Sequence, residues 1–158
     1  MGVPFAVSSG RGVRVSRGSK WFRIAVADVA RGSVDVRLAC APSTPADARH
    51  LVVDLCERCG VGEQLMPDVA LAVSEAAANA TAHAYPDGAD GDVDLWASVG
   101  DETLTVVLRD YGSGMAAPAG ADGLGIALMR ALADSCEIEQ ARPGTCVRLR
   151  FGLRPASV

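Results

Sequence analysis

The stretch EAAANATAHAYPD, residues 75–87, decides how the rest of this chain is interpreted. It lies in a long alanine-rich pattern typical of a helix, yet it places a polar side chain at every fourth position: Glu75, Asn79 and His83. On an α-helix these positions advance by only about 40° per step, so the three side chains line one edge. A carboxylate, a carboxamide and an imidazole in one row on an apolar helix predict a functional site.

Glycine motifs follow this helix at intervals along the chain. DYGSG (residues 110–114) ends a predicted strand, GLG (residues 123–125) opens a predicted helix, and GT (residues 144–145) precedes a final strand. Each motif alone is ordinary turn or helix-start chemistry. Their order after the polar helix edge carries more information than any one of them.

Composition and charge narrow the class of protein. The chain has 158 residues, 49% of them hydrophobic and 22% charged, which is typical of one folded domain. Residues 1–33 hold six basic residues and one acid, a net charge of +5, whereas the rest of the chain holds nine basic and 18 acidic residues. An acidic body argues against direct nucleic-acid binding. We expect a basic, poorly ordered N-terminal extension over 1–33.

The start of the chain shows no secretory signal, and no apolar run reaches the length of a membrane span, so we expect a cytoplasmic protein without membrane contact. Five cysteines are an odd number, which favours free thiols. CERC (residues 56–59) is formally a CxxC motif, but a second pair of zinc ligands is missing.

Apolar periodicity predicts the secondary structure. The prediction is a strand or helix over 21–29, a strand over 35–40, helices over 45–59 and 67–84, strands over 93–99 and 103–109, a helix over 126–135, and strands over 137–140 and 146–151. Thr44 is predicted as the N-cap of the first helix, with Pro45 at its first helical position. Helices with a mostly antiparallel, mixed sheet predict an α+β two-layer sandwich, with helices covering one sheet face.

These motifs in this order resemble the GHKL, or Bergerat-fold, ATP-binding domain over residues 35–154. Within that superfamily, LAVSEAAANATAHAY and GLGIALMRALAD are similar to the bacterial anti-sigma-factor serine/threonine-protein kinases. The resemblance implies ATP and Mg²⁺ as ligands and a sigma factor or a STAS-type antagonist protein as partner, and it leaves a homodimer open. We place the ATP-binding domain at 34–154 and a C-terminal tail at 155–158.

The resemblance also implies roles for individual residues. Glu75 would be the general base, Asn79 would bind Mg²⁺ through its side-chain oxygen, and Asp110 would accept a hydrogen bond from the adenine amino group. Thr145 would support the adenine side of the pocket with its hydroxyl, and His83 would pack at the pocket edge. The remaining predicted nucleotide contacts are Gly112 and Gly114 beside the base and ribose, and Gly123, Leu124 and Gly125 at the phosphates. Arg49 on the first helix is the candidate partner contact; a solvated helix face is the alternative for it.

Three features bear on which kind of ATP-binding protein this is. The chain has a single lysine, Lys20, which excludes a P-loop and a eukaryotic-type kinase. A sensor histidine kinase needs a phospho-accepting histidine on an upstream dimerisation helix. The one upstream histidine, His50, lies instead in a short helix of the domain itself. Segment 115–122 is short and contains no basic, serine or threonine side chain, whereas many relatives have a longer ATP lid. The sequence therefore leaves two functions open: a serine/threonine kinase and an ATP-binding regulator without kinase activity.

Overall fold

A computed structural model describes residues 12–17, 20–25, 32–83, 91–112 and 123–153. The described elements, in chain order, are β1 (Gly12–Arg17), β2 (Lys20–Ala25), β3 (Ser33–Ala39), α1 (Thr44–Arg58), a 3-10 turn (Glu63–Leu65), α2 (Met66–His83), β4 (Asp92–Val99), β5 (Thr103–Asp110), α3 (Leu124–Leu132), β6 (Ser135–Gln140) and β7 (Thr145–Gly152).

The described strands form one sheet in the order β1-β2-β3-β4-β5-β7-β6. Every neighbouring pair of these strands is antiparallel. The predicted α+β two-layer class is confirmed, and the sheet is antiparallel throughout its described strands rather than mixed. Since β7 lies beside β5, the β6–β7 turn lies at the end of β5 that carries Asp110.

Helices α1 and α2 pack on the central strands, and α3 packs on α2 and β6. Strand alternation sends every second residue into this layer, and Leu104, Val106 and Leu108 are buried there. Val107 is buried as well, although it points to the helix-free face. The shared core includes Val34, Val36, Leu38, Val52, Leu55, Val69, Val73, Ala76, Leu95, Leu149 and Phe151. Burying side chains of this size contributes about 1.5–3 kcal/mol each.

Helix α1 begins at Thr44 rather than after it, so the predicted N-cap was wrong. Ser43 occupies the N-cap position and makes no side-chain cap bond. The hydroxyl of Thr44 instead donates to the Ala39 carbonyl at 2.8 Å and accepts the Ala41 N–H at 2.9 Å. Thr44 is buried, and its two hydrogen bonds tie the start of α1 to the end of β3.

Two helices end earlier than the sequence predicted. Helix α1 ends at Arg58, and Cys59, predicted as the last residue of this helix, is exposed at the C-cap. Gly60 follows with φ +71°, the left-handed conformation that commonly ends a helix. Helix α3 ends at Leu132 because Ser135, predicted as its last residue, already pairs with Arg150 in the β6–β7 ladder.

The segment 1–33, predicted as a poorly ordered extension, contributes a β-hairpin to the described structure. Strands β1 and β2 pair with each other, and β2 pairs with β3 through Arg23 opposite Arg37. The predicted domain limits at 34 and 154 stay predictions.

All five cysteines lie in the described residues and are free thiols. Cys56 is buried and burial raises its pKa to about 11, whereas Cys59 is exposed. Within the described ranges, His, Cys, Asp and Glu side chains form no group of three that could hold a metal ion. In the same part of the chain, no helix has both the length and the apolar character needed to cross a bilayer.

Candidate functional site

Asp110 is the last residue of β5, and its side chain is buried, with 6% exposed. Its Oδ1 accepts the N–H of Gly112 at 3.1 Å and the N–H of Thr145 at 3.2 Å. Both of these hydrogen bonds end on Oδ1. Among the described residues, no donor bonds to Oδ2. A buried carboxylate with remaining acceptor capacity favours a ligand that brings an N–H donor.

Burial raises the pKa of the Asp110 carboxyl above its usual range, and the hydrogen bonds from Gly112 and Thr145 partly oppose that shift. Burial penalises the charged form because the carboxylate loses water, whereas each N–H bond stabilises it. The two backbone N–H donors therefore stabilise the Asp110 carboxylate in this buried position.

Gly144 shapes the turn that holds Asp110. It lies between β6 and β7 with φ +93°, and a Cβ built on it would overlap the backbone carbonyl of Asp110. Its backbone therefore passes so close to the end of β5 that a residue with a side chain does not fit. The sequence prediction assigned a role to Thr145 but none to Gly144; the GT dipeptide was the available signal. Thr145 contacts Asp110 through its backbone N–H, whereas the prediction invoked its hydroxyl.

The polar edge of α2 faces the first turn of α3. Glu75 and Asn79 are half-buried, and a Cβ built on Gly125 would lie 2.7 Å from Glu75 Oε2 and 3.5 Å from Asn79 Oδ1. The structure thus brings together three of the predicted site residues from two helices. His83 is the last residue of α2; its side chain and all of Gly114 lie outside the described residues.

The start of α3 exposes backbone donors. Gly123 is its N-cap, with φ −62° and ψ 167° and no side-chain cap bond, and its carbonyl accepts the N–H of Ile126 and of Ala127. The N–H groups of the preceding positions have no acceptor within the helix, and the helix dipole adds positive potential there. This geometry suits an anion. Leu124, predicted among the phosphate contacts, is 78% exposed.

A charged cluster on the helix-free face lies directly behind Asp110, and the sequence prediction missed it. Arg37 donates to Asp94 through Nε at 2.6 Å and through Nη2 at 2.9 Å, and the Tyr111 hydroxyl also donates to Asp94. The guanidinium carbons of Arg37 and Arg109 lie 5.4 and 4.8 Å from the Tyr111 ring centroid. Since Tyr111 follows Asp110, these contacts fix the backbone at the end of β5. We call Arg37, Asp94, Arg109 and Tyr111 the β5 clamp.

Asp94 is anionic within the clamp. Burial raises the pKa of Asp94, but the hydrogen bonds from Arg37 and Tyr111 outweigh burial and leave that pKa below its usual range. The same hydrogen bond raises the pKa of Arg37. Both directions describe a pair that is more stable charged than neutral.

Arg49 lies on α1, half-buried against α2. Its Nη1 is 3.5 Å from Ser74 Oγ, and Ser74 donates to the Ala70 carbonyl at 2.7 Å. The predicted partner contact is therefore next to the residue that precedes Glu75. This position connects the exposed side of α1 with the polar edge of α2.

A cavity of about 470 Å³ lies at the opposite end of the sheet. It is lined by the end of α1, the 3-10 turn, the β4–β5 turn and the end of β7. None of the predicted site residues lines it, so the candidate site is defined by its side chains and backbone donors rather than by this cavity.

Known proteins were compared with the chain. The family model described as the histidine kinase-like ATPase domain matches residues 38–151. Among the solved structures that match is the crystal structure of the RsbU and RsbW domains of Rv1364c from Mycobacterium tuberculosis, with a TM-score of 0.64 and 21% sequence identity. That match covers 78% of this chain and 33% of the other, so this chain spans about a third of that protein's length. The likeness shows a shared fold. The search of curated proteins found no match.

Proposed function

The chain belongs to the histidine kinase-like ATPase domain family, and we propose that it binds Mg·ATP and phosphorylates a serine of a small antagonist protein in a partner switch that controls a sigma factor. Family and fold support ATP binding in a regulatory role. The main observation in support of a nucleotide site is the buried Asp110 carboxylate, which accepts hydrogen bonds from two backbone N–H groups. Helix α2, with Glu75 and Asn79, packs on the same strand.

Asp110 would select the base. An ionised carboxylate only accepts hydrogen bonds, so it pairs with the amino group of adenine and is repelled by the carbonyl oxygen that guanine carries at the same position. A site built around such a pair discriminates strongly, because the wrong base leaves buried polar groups unpaired.

Asn79 and the start of α3 would hold the phosphate end. Magnesium prefers oxygen ligands and is commonly shared between one protein group and phosphates. The half-buried Asn79 carboxamide, next to the free N–H groups of α3, fits that donor set. When bound, Mg²⁺ would neutralise phosphate charge, which matters here because the described site contains no lysine. Arg130 lies in the last turn of α3, away from these N–H groups.

Glu75 would act on the substrate serine. In the proposed transfer, Glu75 takes the hydroxyl proton as the serine oxygen bonds to the γ-phosphorus. The bond from the γ-phosphorus to the β,γ-bridging oxygen breaks, and its electron pair leaves with ADP. A carboxylate one helical turn from the metal-binding position is placed for this role.

A second candidate is an ATP-binding regulator without kinase activity. Segment 115–122 favours it, since this stretch contains no basic, serine or threonine side chain that could contact the γ-phosphate. In both candidates we propose a cytoplasmic protein whose α1 surface, including Arg49, contacts a sigma factor or a STAS-type antagonist.

Nucleotide titration tests the binding site. We expect Mg²⁺-dependent ATP binding by isothermal titration calorimetry, and Asp110→Asn should weaken it about 10- to 100-fold, because a hydrogen bond to a charged group contributes about 1.5–3 kcal/mol. Asp101→Asn is the matched control, since Asp101 is exposed in the β4–β5 turn. An unchanged affinity in Asp110→Asn, or no Mg²⁺-dependent binding by the unmodified protein, would overturn the site.

Phosphorylation of a purified STAS-domain antagonist with γ-labelled ATP tests the activity. Glu75→Ala should abolish labelling of the serine and leave ATP affinity within about threefold, since the base is required for transfer rather than for binding. ATP binding without labelled serine would favour the regulator, as would a Glu75→Ala variant that labels at the normal rate.

A further inference from the structure

Gly125 lies in the first turn of α3, where α3 meets α2. Its φ is outside the left-handed region, so the backbone there accepts any L-residue. Glycine inside a helix is less favourable than alanine, because it loses more backbone freedom on folding. The missing side chain at this position therefore has a cause outside the helix itself.

The space beside Gly125 is occupied by the Glu75 carboxylate. A Cβ built on Gly125 would lie 2.7 Å from Glu75 Oε2, a separation that real Cβ atoms do not adopt. The same Cβ would lie 3.5 and 3.7 Å from the side-chain oxygen and nitrogen of Asn79, which are ordinary contact distances. At Gly123, two residues earlier, a Cβ would meet nothing within 4 Å.

We propose that Gly125 is a positioning residue for Glu75: the absence of a side chain lets the Glu75 carboxylate lie against the first turn of α3. Glu75 is carried by α2, and the missing side chain at position 125 lets its carboxylate pack against the first turn of α3. This inference rests on the proposed phosphoryl transfer and assigns Gly125 a role separate from contact with the nucleotide.

A methyl group at position 125 would displace the carboxylate rather than unfold the helix, because the Glu side chain is long and flexible. A general base must stay within hydrogen-bond reach of its proton, and a misplacement of about 1 Å costs about 100-fold in rate. Asn79 would keep its place, since the new contact with it is ordinary. Gly125→Ala should therefore separate transfer from binding.

The first test compares rates and affinities. Gly125→Ala should lower kcat for serine phosphorylation about 10- to 100-fold and weaken Mg·ATP binding by a clearly smaller factor. In a Glu75→Asp background, the shorter side chain leaves room for the methyl group, so Gly125→Ala should add little further loss. Gly62→Ala is the matched control, because its Cβ meets only the flexible end of Gln64, remote from the site.

The second test needs no activity. In a Glu75→Ala background the space is empty, so Gly125→Ala should raise Tm through better helix propensity; with Glu75 present, that gain should shrink or reverse. Equal Tm shifts in the two backgrounds would overturn the inference, as would a loss of ATP affinity that matches the loss of rate. If the unmodified protein phosphorylates no serine, the kinase proposal fails by itself, and the Tm comparison still decides whether Glu75 and Gly125 are coupled.

Discussion

The two ends of the candidate site are built differently. At the base end, Asp110 is held by backbone hydrogen bonds, and the chain at Gly144 passes too close to β5 for any side chain. At the phosphate end, Glu75 and Asn79 meet α3 mainly through side-chain packing. The proposed base selectivity thus depends on the sheet, where structure and binding should change together. The proposed chemistry depends on helix side chains that can change without unfolding the domain.

Substitution of Gly144 should show this linkage most strongly. Gly144→Ala places a methyl group on the Asp110 carbonyl and forces alanine into a left-handed conformation, so we expect a loss of about 2–4 kcal/mol in unfolding free energy together with loss of ATP binding. Urea denaturation and calorimetry measure the two effects.

Gly60→Ala is the control for conformation alone. Gly60 has φ +71°, but a Cβ there would meet nothing within 4 Å. We therefore expect Gly60→Ala to lower the unfolding free energy by about 1–2 kcal/mol and to leave ATP binding normal. If Gly144→Ala costs no more than Gly60→Ala, close approach to β5 is not what Gly144 provides.

The β5 clamp should have the next largest effect. Asp94→Asn removes the negative charge to which Arg37 and the Tyr111 hydroxyl both donate. We expect a loss of about 1–3 kcal/mol in unfolding free energy. We also expect a moderate loss of ATP affinity, because the end of β5 is held less firmly. Glu137→Gln is the comparison, since the Glu137 side chain is 43% exposed in its 3.1 Å pair with Arg148. For Glu137→Gln the loss in unfolding free energy should stay below about 1 kcal/mol. Equal losses in the two variants would show that the β5 clamp has no special part in the site.

The smallest expected effect is a difference in pH response between two carboxyls. Because the pKa of Asp94 is lowered from 3.8 on folding, its contribution to stability is present above that value and is lost as the pH falls through the folded pKa. The pKa of Asp110 is raised from 3.8, so its contribution is present below that value and is lost as the pH rises through the folded pKa.

Denaturation of the nucleotide-free protein between about pH 2 and about pH 7 measures this difference. The stability of Asp110→Asn relative to the unmodified protein should rise with pH across this range, and the deficit of Asp94→Asn should shrink as the pH falls. If both variants follow the same curve as the unmodified protein, the two carboxyls do not titrate as their surroundings indicate.

Local patterns in the sequence predicted the part of the structure that depends on neighbouring residues. The helix edge of Glu75 and Asn79 follows from a four-residue spacing, and Asp110 follows from its place between a strand and a glycine-rich loop. Thr44 was assigned the wrong role because its hydroxyl bonds to the preceding strand, which helix-start rules do not consider.

The β5 clamp could not be predicted in the same way. Arg37 and Asp94 are 57 positions apart, and they become neighbours only through the register of β3 on β4. Strand register depends on the whole sheet rather than on either strand. The close approach at Gly144 is likewise a contact between distant segments, so GT alone indicated a turn without indicating its purpose.

The thiols make the molecule convenient for spectroscopy. Burial raises the pKa of Cys56, Cys136 and Cys146, so these thiols are poor nucleophiles near neutral pH. Cys40 is half-buried, whereas Cys59 is exposed and lies at the C-cap of α1, at the end of the sheet remote from Asp110. A maleimide dye should therefore attach first at Cys59, where its anisotropy can follow assembly with a proposed partner while the candidate site stays chemically unmodified.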